Sequence, residues 1–262
     1  MALITLMTDF GLKDGFVGVM KGVILSLAPQ VQIVDLSHLI TPQNIREAAI
    51  VLHRAVPYFP EGAIHVVVVD PGVGTARRPL AAQLGSQYFV GPDNGEFTLV
   101  LERAERANWA VEMVCLDQPQ YWLAEISHVF HGRDIFSPVA AHLANGVPLR
   151  QLGTPIADPV RLDFPQPERT AAGWRGKVTV IDHFGNLAVN IRPEHLEGQS
   201  GVVISVCGTE IRGLVRTFGD KRPGELAALF GSSGDLVIAE VNGNAAQRLN
   251  AQIGDAVEIE IR

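Results

Sequence analysis

The stretch Ile64 to Arg78, IHVVVVDPGVGTARR, decides how the first half of the chain folds. Its unbroken β-branched run is the pattern of a strand covered on both faces, and Pro71, having no N–H, cannot continue a central ladder. Asp70 is therefore delivered to the tip of a buried strand. Gly72 and Gly74 let the next loop bend sharply or approach a ligand, and that loop carries Arg77 and Arg78 seven and eight positions after the acid. In open α/β sheets, ligands sit at the carboxyl ends of the strands. From the loop alone, an aspartate that caps its own turn and one that serves a ligand fit equally well.

The residues before it repeat the scheme. Ala2 to Met7 is a short apolar strand ending in Thr8-Asp9-Phe10-Gly11, which makes Asp9 a second strand-end carboxylate. Phe16, Val19, Met20, Val23, Ile24 and Leu27 then recur at helical spacing until Pro29. Val31 to Leu36 reads as a strand, and Pro42 to Ala55 as a helix with Ile45, Ala48, Ala49 and Leu52 on one face. The order β-α-β-α-β with short connections predicts right-handed crossovers and a mainly parallel sheet.

Composition narrows the function classes. The 262 residues suffice for two domains with a sizeable core, and 47% hydrophobic with 19% charged residues is a globular balance. A net charge of -7 gives no footing for a nucleic-acid partner. Cys115 and Cys207 form no C-x-x-C pair, so neither a zinc motif nor a disulfide framework is expected, which fits a reducing cytoplasm. No run of about 18 apolar residues and no signal-like amino terminus is present, so neither membrane nor export is expected.

Further along, Tyr88 to Val90 is a strand running into the turn Gly91-Pro92-Asp93-Asn94-Gly95, Phe97 to Ala104 a helix, and Trp109 to Leu116 another strand. Phe130-His131-Gly132-Arg133-Asp134-Ile135-Phe136 precedes helical spacing from Ile135 to Leu143, placing His131 just before a helix amino terminus, where an anion or attacking water is favoured. His128 and His131 stand like a metal pair, but no third ligand follows at a diagnostic spacing, and no metal is expected. Asp158 to Thr170 is rich in proline and charge and marks a domain boundary.

The second domain reads as a small antiparallel β-barrel, with strands at Trp174–Ile181, Leu187–Ile191, Gly201–Val206, Leu236–Val241 and Ala256–Ile261, and Glu225–Phe230 as its one candidate amphipathic helix. Two turns stand out in it, Asp182-His183-Phe184-Gly185-Asn186 and Gly231-Ser232-Ser233-Gly234. Either could grip a small polar ligand, and turn statistics alone favour ordinary hairpin chemistry. The expected architecture is an α/β/α domain over 1–160, a linker over 161–172 and the barrel over 173–262.

Taken together, TDFG at Thr8 to Gly11, VDPGVGTARR at Val69 to Arg78, GPDNG at Gly91 to Gly95, FHGRDIF at Phe130 to Phe136, IDHFGN at Ile181 to Asn186 and GSSG at Gly231 to Gly234 resemble the S-adenosyl-L-methionine hydroxide adenosyltransferase family, relatives of the halogenating enzymes that use the same substrate. Each motif alone is weak; six in order over almost the whole chain are specific. The resemblance implies attack of activated water at the ribose C5′ of S-adenosylmethionine, giving adenosine and methionine with no further cofactor. It also implies a homotrimer with sites between the amino-terminal domain of one subunit and the barrel of the next.

Carried over by motif, Asp70, Arg77 and His131 would handle the water, and Asp9 would bind the ribose hydroxyls. Asn186 would face the adenine, Asp182 the methionine ammonium, and Ser232 with Ser233 the methionine carboxylate; Asn94 and Phe184 complete the substrate set. Halogenating relatives lack the Arg and His of the water set, so their presence here favours water over halide. Arg78 is expected to be left in solvent.

Three alternatives stay in view: a halide-dependent 5′-halo-5′-deoxyadenosine synthase, a nonenzymatic adenosine-binding protein, and a nicotinamide dehydrogenase prompted by Gly72-x-Gly74. The last is disfavoured because Arg77 occupies the third glycine position and no acid-ended second strand lies at the expected distance.

Overall fold

The computed structural model describes residues 1–199 and 201–261. They form two compact units that divide between residues 162 and 163.

In the first unit, β1 (Leu3–Thr8), α1 (Phe16–Leu27), β2 (Gln32–Ser37), α2 (Ile45–Ala55) and β3 (Ile64–Val68) follow the expected alternation. Next come β4 (Pro79–Leu84), β5 (Gln87–Pro92), α3 (Thr98–Arg106), β6 (Val111–Cys115), α4 (Ser137–Ala144) and the short β7 (Thr154–Pro155). The sheet order is β2-β1-β3-β5-β4-β6-β7. Its first four strands run parallel, and the pairings from β5 through β7 are antiparallel, so the sheet is mixed.

Strand β4 had no counterpart in the sequence reading. Its signal lay in the two-residue link Gly85-Ser86: Leu84 pairs with Gln87 and Gly85 has φ +60°, the positive φ of a tight hairpin. That hairpin reverses the chain and turns the second half of the sheet antiparallel.

Helices cover both faces. Ile64, Val66 and Val68 point into a cluster with Met20 and Ile24 of α1 and Val139 and Ala140 of α4, while Val67 and Val69 join Ala48 and Leu52 of α2 and Leu101 and Ala104 of α3. This alternation is why the four-valine run carries no polar position: each face of β3 is roofed by helices. The interior face of α1 is Val17, Met20 and Ile24, whereas Phe16 and Val19 are exposed. Asn44 caps α2 by accepting from Glu47 N–H at 3.1 Å. No helix among the described residues is long and apolar enough to cross a membrane.

The second unit contains β8 (Glu168–Arg169), β9 (Gly173–Ile181), β10 (Leu187–Val189), β11 (Val202–Val206), β12 (Thr209–Arg212), β13 (Leu226–Phe230), β14 (Leu236–Glu240), α5 (Ala245–Leu249) and β15 (Ala256–Ile261). The order β12-β11-β15-β9-β10-β14-β13 is antiparallel throughout, with β8 added beside β9. Val215 N–H, just after β12, donates to Ala228 C=O of β13 at 2.9 Å, which nearly closes the sheet into a barrel.

The run 226–230 is strand, not helix. Ala228 faces the barrel core while Ala227 and Leu229 face a separate cluster with Val241, the period-two alternation of a strand whose partner β14 satisfies its backbone. The proline-rich boundary is partly anchored. Leu162 N–H donates to Thr98 Oγ1 at 2.9 Å and Val160 N–H to Asp93 Oδ1 at 2.8 Å, holding 160–162 on the first unit.

Candidate active site

Strands β1 and β3 are parallel neighbours with Thr8 opposite Val68, so their carboxyl ends bring Asp9 and Asp70 out at one edge of the sheet. Asp9 Oδ2 accepts from Gln43 N–H at 2.7 Å, and Gln43 holds a left-handed backbone at φ 66° to make that contact. Phe10, next to Asp9, meets Phe16 and Phe130 edge to face at centroid distances of 6.0 and 5.8 Å. Phe130 precedes His131, so the aromatic trio pins two distant motifs together.

After Asp70 the chain turns tightly, with Val73 N–H on Asp70 C=O and Thr75 Oγ1 donating to Gly72 C=O at 2.7 Å. Gly74 has φ +76°, and a Cβ there would lie 2.3 Å from the His128 carbonyl oxygen. Only glycine lets this loop rest on the 128–131 segment.

The loop thereby returns Arg77 to its own strand end. Arg77 Nε donates to Asp70 Oδ1 at 3.1 Å, and Nη2 donates both to Asp70 Oδ2 and, at 3.1 Å, to His131 Nδ1. The Arg77 and Asp70 side chains are only 7% and 5% exposed, and the guanidinium lies over the Phe136 ring. Arg77 Nη1 is buried with no hydrogen-bond partner among the described residues. A guanidinium has donors only, so Nδ1 of His131 is an acceptor and its ring proton resides on Nε2. Burial, reinforced by the Arg77 charge, lowers the pKa of His131 below the usual imidazole value, against the pull of Asp70 and Asp134. The three residues named from the sequence thus form one connected cluster.

His131 stands at the entrance to a π-helical turn, Gly132–Phe136, that leads into α4. Wide turns of this kind recur at functional sites. The buried Asp134 holds the segment: its Oδ2 accepts from Ser127 N–H at 2.8 Å and its Oδ1 from Arg133 Nε at 2.5 Å.

Arg78 corrects the reading that left it in solvent. It pairs with the buried Asp93 at 2.7 Å and with Asp158 at 2.9 Å, because Asp93 N–H already bonds Arg78 C=O and draws the turn beneath it. Asn94, expected to meet substrate, donates its Nδ2 to Val69 C=O at 2.8 Å. Glu96 lies between the Gly91–Gly95 turn and the helix and carries no motif signal in the sequence. It is fully buried beneath the site, its Oε2 accepts from Val69 N–H at 3.4 Å, and burial raises its pKa well above the usual carboxyl value.

In the second unit, Asp182 and Asn186 bind each other. Asp182 Oδ1 accepts from Phe184 N–H and Asn186 N–H, both at 2.9 Å, and Oδ2 accepts from Asn186 Nδ2 at 2.8 Å. Phe184 projects at 72% exposure. Ser233 Oγ donates to Asp235 Oδ2 at 3.1 Å, and Ser232 is exposed. Leu187 pairs with Ile238 and Val189 with Leu236, so the 182–186 and 231–235 turns flank the three-residue β10 at its two ends. Among the described residues, no three His, Cys, Asp or Glu side chains gather as a metal site. A cavity of about 460 Å³ lined by Phe59, Gln87, Arg103 and Trp109 lies at the sheet edge opposite Asp70 and holds none of these residues.

The family model for the SAM hydroxide adenosyltransferase amino-terminal domain matches residues 4–153, and the model for the carboxy-terminal domain matches 176–258. The chain belongs to the SAM hydroxide adenosyltransferase family. Among the family's members, the (R)-S-adenosyl-L-methionine hydrolase of Salinispora tropica is 41% identical over 98% of this chain and 97% of its own. The protein of the same name from Thermus thermophilus is 40% identical over 97% of both chains. A fluorinase from Nocardia brasiliensis is 29% identical over 99% of this chain and 97% of its own. A solved structure of a conserved protein from Thermotoga maritima, 37% identical, superposes with a TM-score of 0.90 over 98% of this chain and 99% of its own.

Proposed function

We propose that this member of the SAM hydroxide adenosyltransferase family hydrolyses S-adenosyl-L-methionine to adenosine and L-methionine by attack of water at the ribose C5′. The observation that carries the reading is the buried Asp70–Arg77–His131 cluster at the sheet edge. Similarity to the two hydrolases named above supports it.

The sulfonium departs as a neutral thioether, so the leaving group needs no proton and the barrier lies in presenting the nucleophile. Water needs an acceptor for one proton and a donor that fixes its oxygen. Arg77 occupies His131 Nδ1, and the ring proton sits on Nε2, so neutral His131 has no lone pair to offer without releasing Arg77. Asp70 retains lone pairs beyond the two that Arg77 uses and is the proton acceptor. His131 Nε2–H then holds the water oxygen, and Arg77 fixes both neighbours. Asp9 takes the ribose hydroxyls, and Asp182, Phe184, Asn186, Ser232 and Ser233 complete the substrate set by family resemblance, while the Asn94 amide is committed to Val69 C=O and Glu96 N–H. The reaction consumes its substrate and calls for no additional cofactor.

The assembly we infer is a homotrimer, and exposed apolar residues such as Leu12, Phe16, Val19 and Val129 are the kind of surface that assembly buries. A cytoplasmic location accords with the free cysteines Cys115 and Cys207.

The test is incubation with S-adenosylmethionine in halide-free, ¹⁸O-enriched water. Adenosine labelled at its 5′ oxygen, with equimolar methionine, is expected. Intact substrate after long incubation would leave a binding protein, and a 5′-chloro nucleoside formed only with chloride would assign the halogenating reaction. Native mass reads the oligomer directly; a monomer would remove the trimer.

A further inference from the structure

The ladder between β3 and β5 stops early. Its last pair is Val66 with Val90, because Pro92 has no N–H to continue it. Val69, wholly buried, then needs partners for both backbone groups, since an unpaired buried peptide group is costly. It finds them in two side chains returning from the turn after β5. Asn94 Nδ2 donates to Val69 C=O at 2.8 Å, and Glu96 Oε2 accepts from Val69 N–H at 3.4 Å. The two are themselves joined, because Glu96 N–H donates to Asn94 Oδ1 at 3.1 Å. The next residue in the chain is Asp70.

Gly91 makes room for this clamp. A Cβ there would lie 2.3 Å from Glu96 Oε1 and 2.4 Å from the Val67 carbonyl oxygen, so both oxygens converge on the bare glycine. Glu96 Oε2 is the oxygen that receives Val69 N–H, and Oε1 is buried beside Gly91 with no hydrogen-bond partner among the described residues.

We propose that Glu96 and Asn94 are a positioning pair that fixes the peptide on either side of Val69, and through it the orientation of the Asp70 carboxylate against Arg77 and the attacking water. The proposal rests on the hydrolase reading of the site. Neither residue touches the reacting atoms. The clamp acts because displacement of a catalytic group by about 1 Å can cost on the order of 10²-fold in rate. Glutamine keeps the side-chain oxygen that accepts from Val69 N–H at nearly the same volume, so Glu96→Gln is the faithful substitute, and burial, which raises the Glu96 pKa, disfavours the charge that glutamine lacks.

The experiment is steady-state kinetics of Glu96→Leu, Glu96→Gln and Asp70→Asn, with Glu96→Leu also made in the Asp70→Asn background. Glu96→Leu should lower kcat by roughly tenfold or more with KM changed less than about twofold, while Glu96→Gln stays within about threefold of the parent. In the Asp70→Asn background, Glu96→Leu should lower the residual rate no further, since positioning an absent carboxylate gains nothing. Asn94→Leu, which removes the other arm, should reproduce the kcat loss if Glu96→Leu fails to fold. If Asp70→Asn abolishes turnover but Glu96→Leu and Asn94→Leu leave kcat intact, or if their losses are additive with it, the clamp is overturned and the hydrolase reading stands. If Asp70→Asn itself leaves turnover unchanged, the hydrolase reading of the site falls and the clamp with it.

Discussion

Nδ1 of His131 accepts a hydrogen bond from Nη2 of Arg77 at 3.1 Å, although both side chains belong to groups that carry positive charge elsewhere in proteins. The contact exists only while the imidazole is neutral, so it ties the site to pH. Burial and the Arg77 charge both lower the His131 pKa, so the folded state binds fewer protons than the unfolded chain just below pH 6.5. Acidification through that window therefore removes stability and breaks the cluster. The acid limb of kcat should fall below 6.5, and the His131 resonances in an NMR titration should share its midpoint. In Arg77→Met the NMR midpoint should move up. A wild-type midpoint above 6.5 would contradict the assigned tautomer.

Arg77 joins two partners through three N–H donors, and lysine cannot reproduce that fork. Arg77→Lys should retain the charge yet lower kcat by about 10²-fold or more, through lost alignment of Asp70 and His131. Kinetics beside a thermal melt checks it: near-parental turnover would reduce Arg77 to a source of charge.

His65 provides a pH effect remote from the chemistry. It is wholly buried between Phe59 and Phe89, its Nδ1 is 2.8 Å from Thr5 Oγ1, and burial lowers its pKa to about 4. A histidine depressed from 6.5 contributes stability in full above that value and loses it as pH falls toward 4, about 3 kcal/mol in all. Denaturant unfolding of His65→Gln at pH 7 and pH 4 should show an acid loss smaller by about that amount than in the parent. Equal losses would assign the acid sensitivity to other groups.

Arg78 ties Asp93 and Asp158, whereas its neighbour joins Asp70 and His131. Arg78→Ala leaves the carboxylate of Asp93 buried without its main cation and should destabilise the first unit by about 1 to 3 kcal/mol. At temperatures where the variant stays folded, kcat should match the parent within about twofold, since no hydrogen bond joins Arg78 to the cluster. A large kcat loss in a fully folded variant would place Arg78 in the machinery.

How much of this was legible beforehand depends on range. The turn residues of the Asp70 loop and the β-branched run are local, so the strand and its acid tip followed from spacing, whereas the place of Arg77 in the cluster came from the family resemblance. Strand β4 was missed although its Gly85-Ser86 hairpin signal was present, and 226–230 changes from helix to strand because β14 pairs with it, a partner the local pattern does not contain. Arg78 and Arg77 are indistinguishable as neighbours in sequence. Only the fold aims one at Asp70 and the other at Asp93.

By itself the sequence determined the two-domain plan, the strand-end carboxylates and the motif set that marks the family, because these depend on residue type and spacing along one segment. Tertiary structure alone decided that His131 accepts from Arg77, that Asn94 and Glu96 grip Val69 where the β3–β5 ladder fails, and that burial pushes the Glu96 carboxyl pKa up. The reason is physical: hydrogen-bond roles and pKa follow from desolvation and from partners tens of residues away, and a chain has neither until its strands are laid side by side.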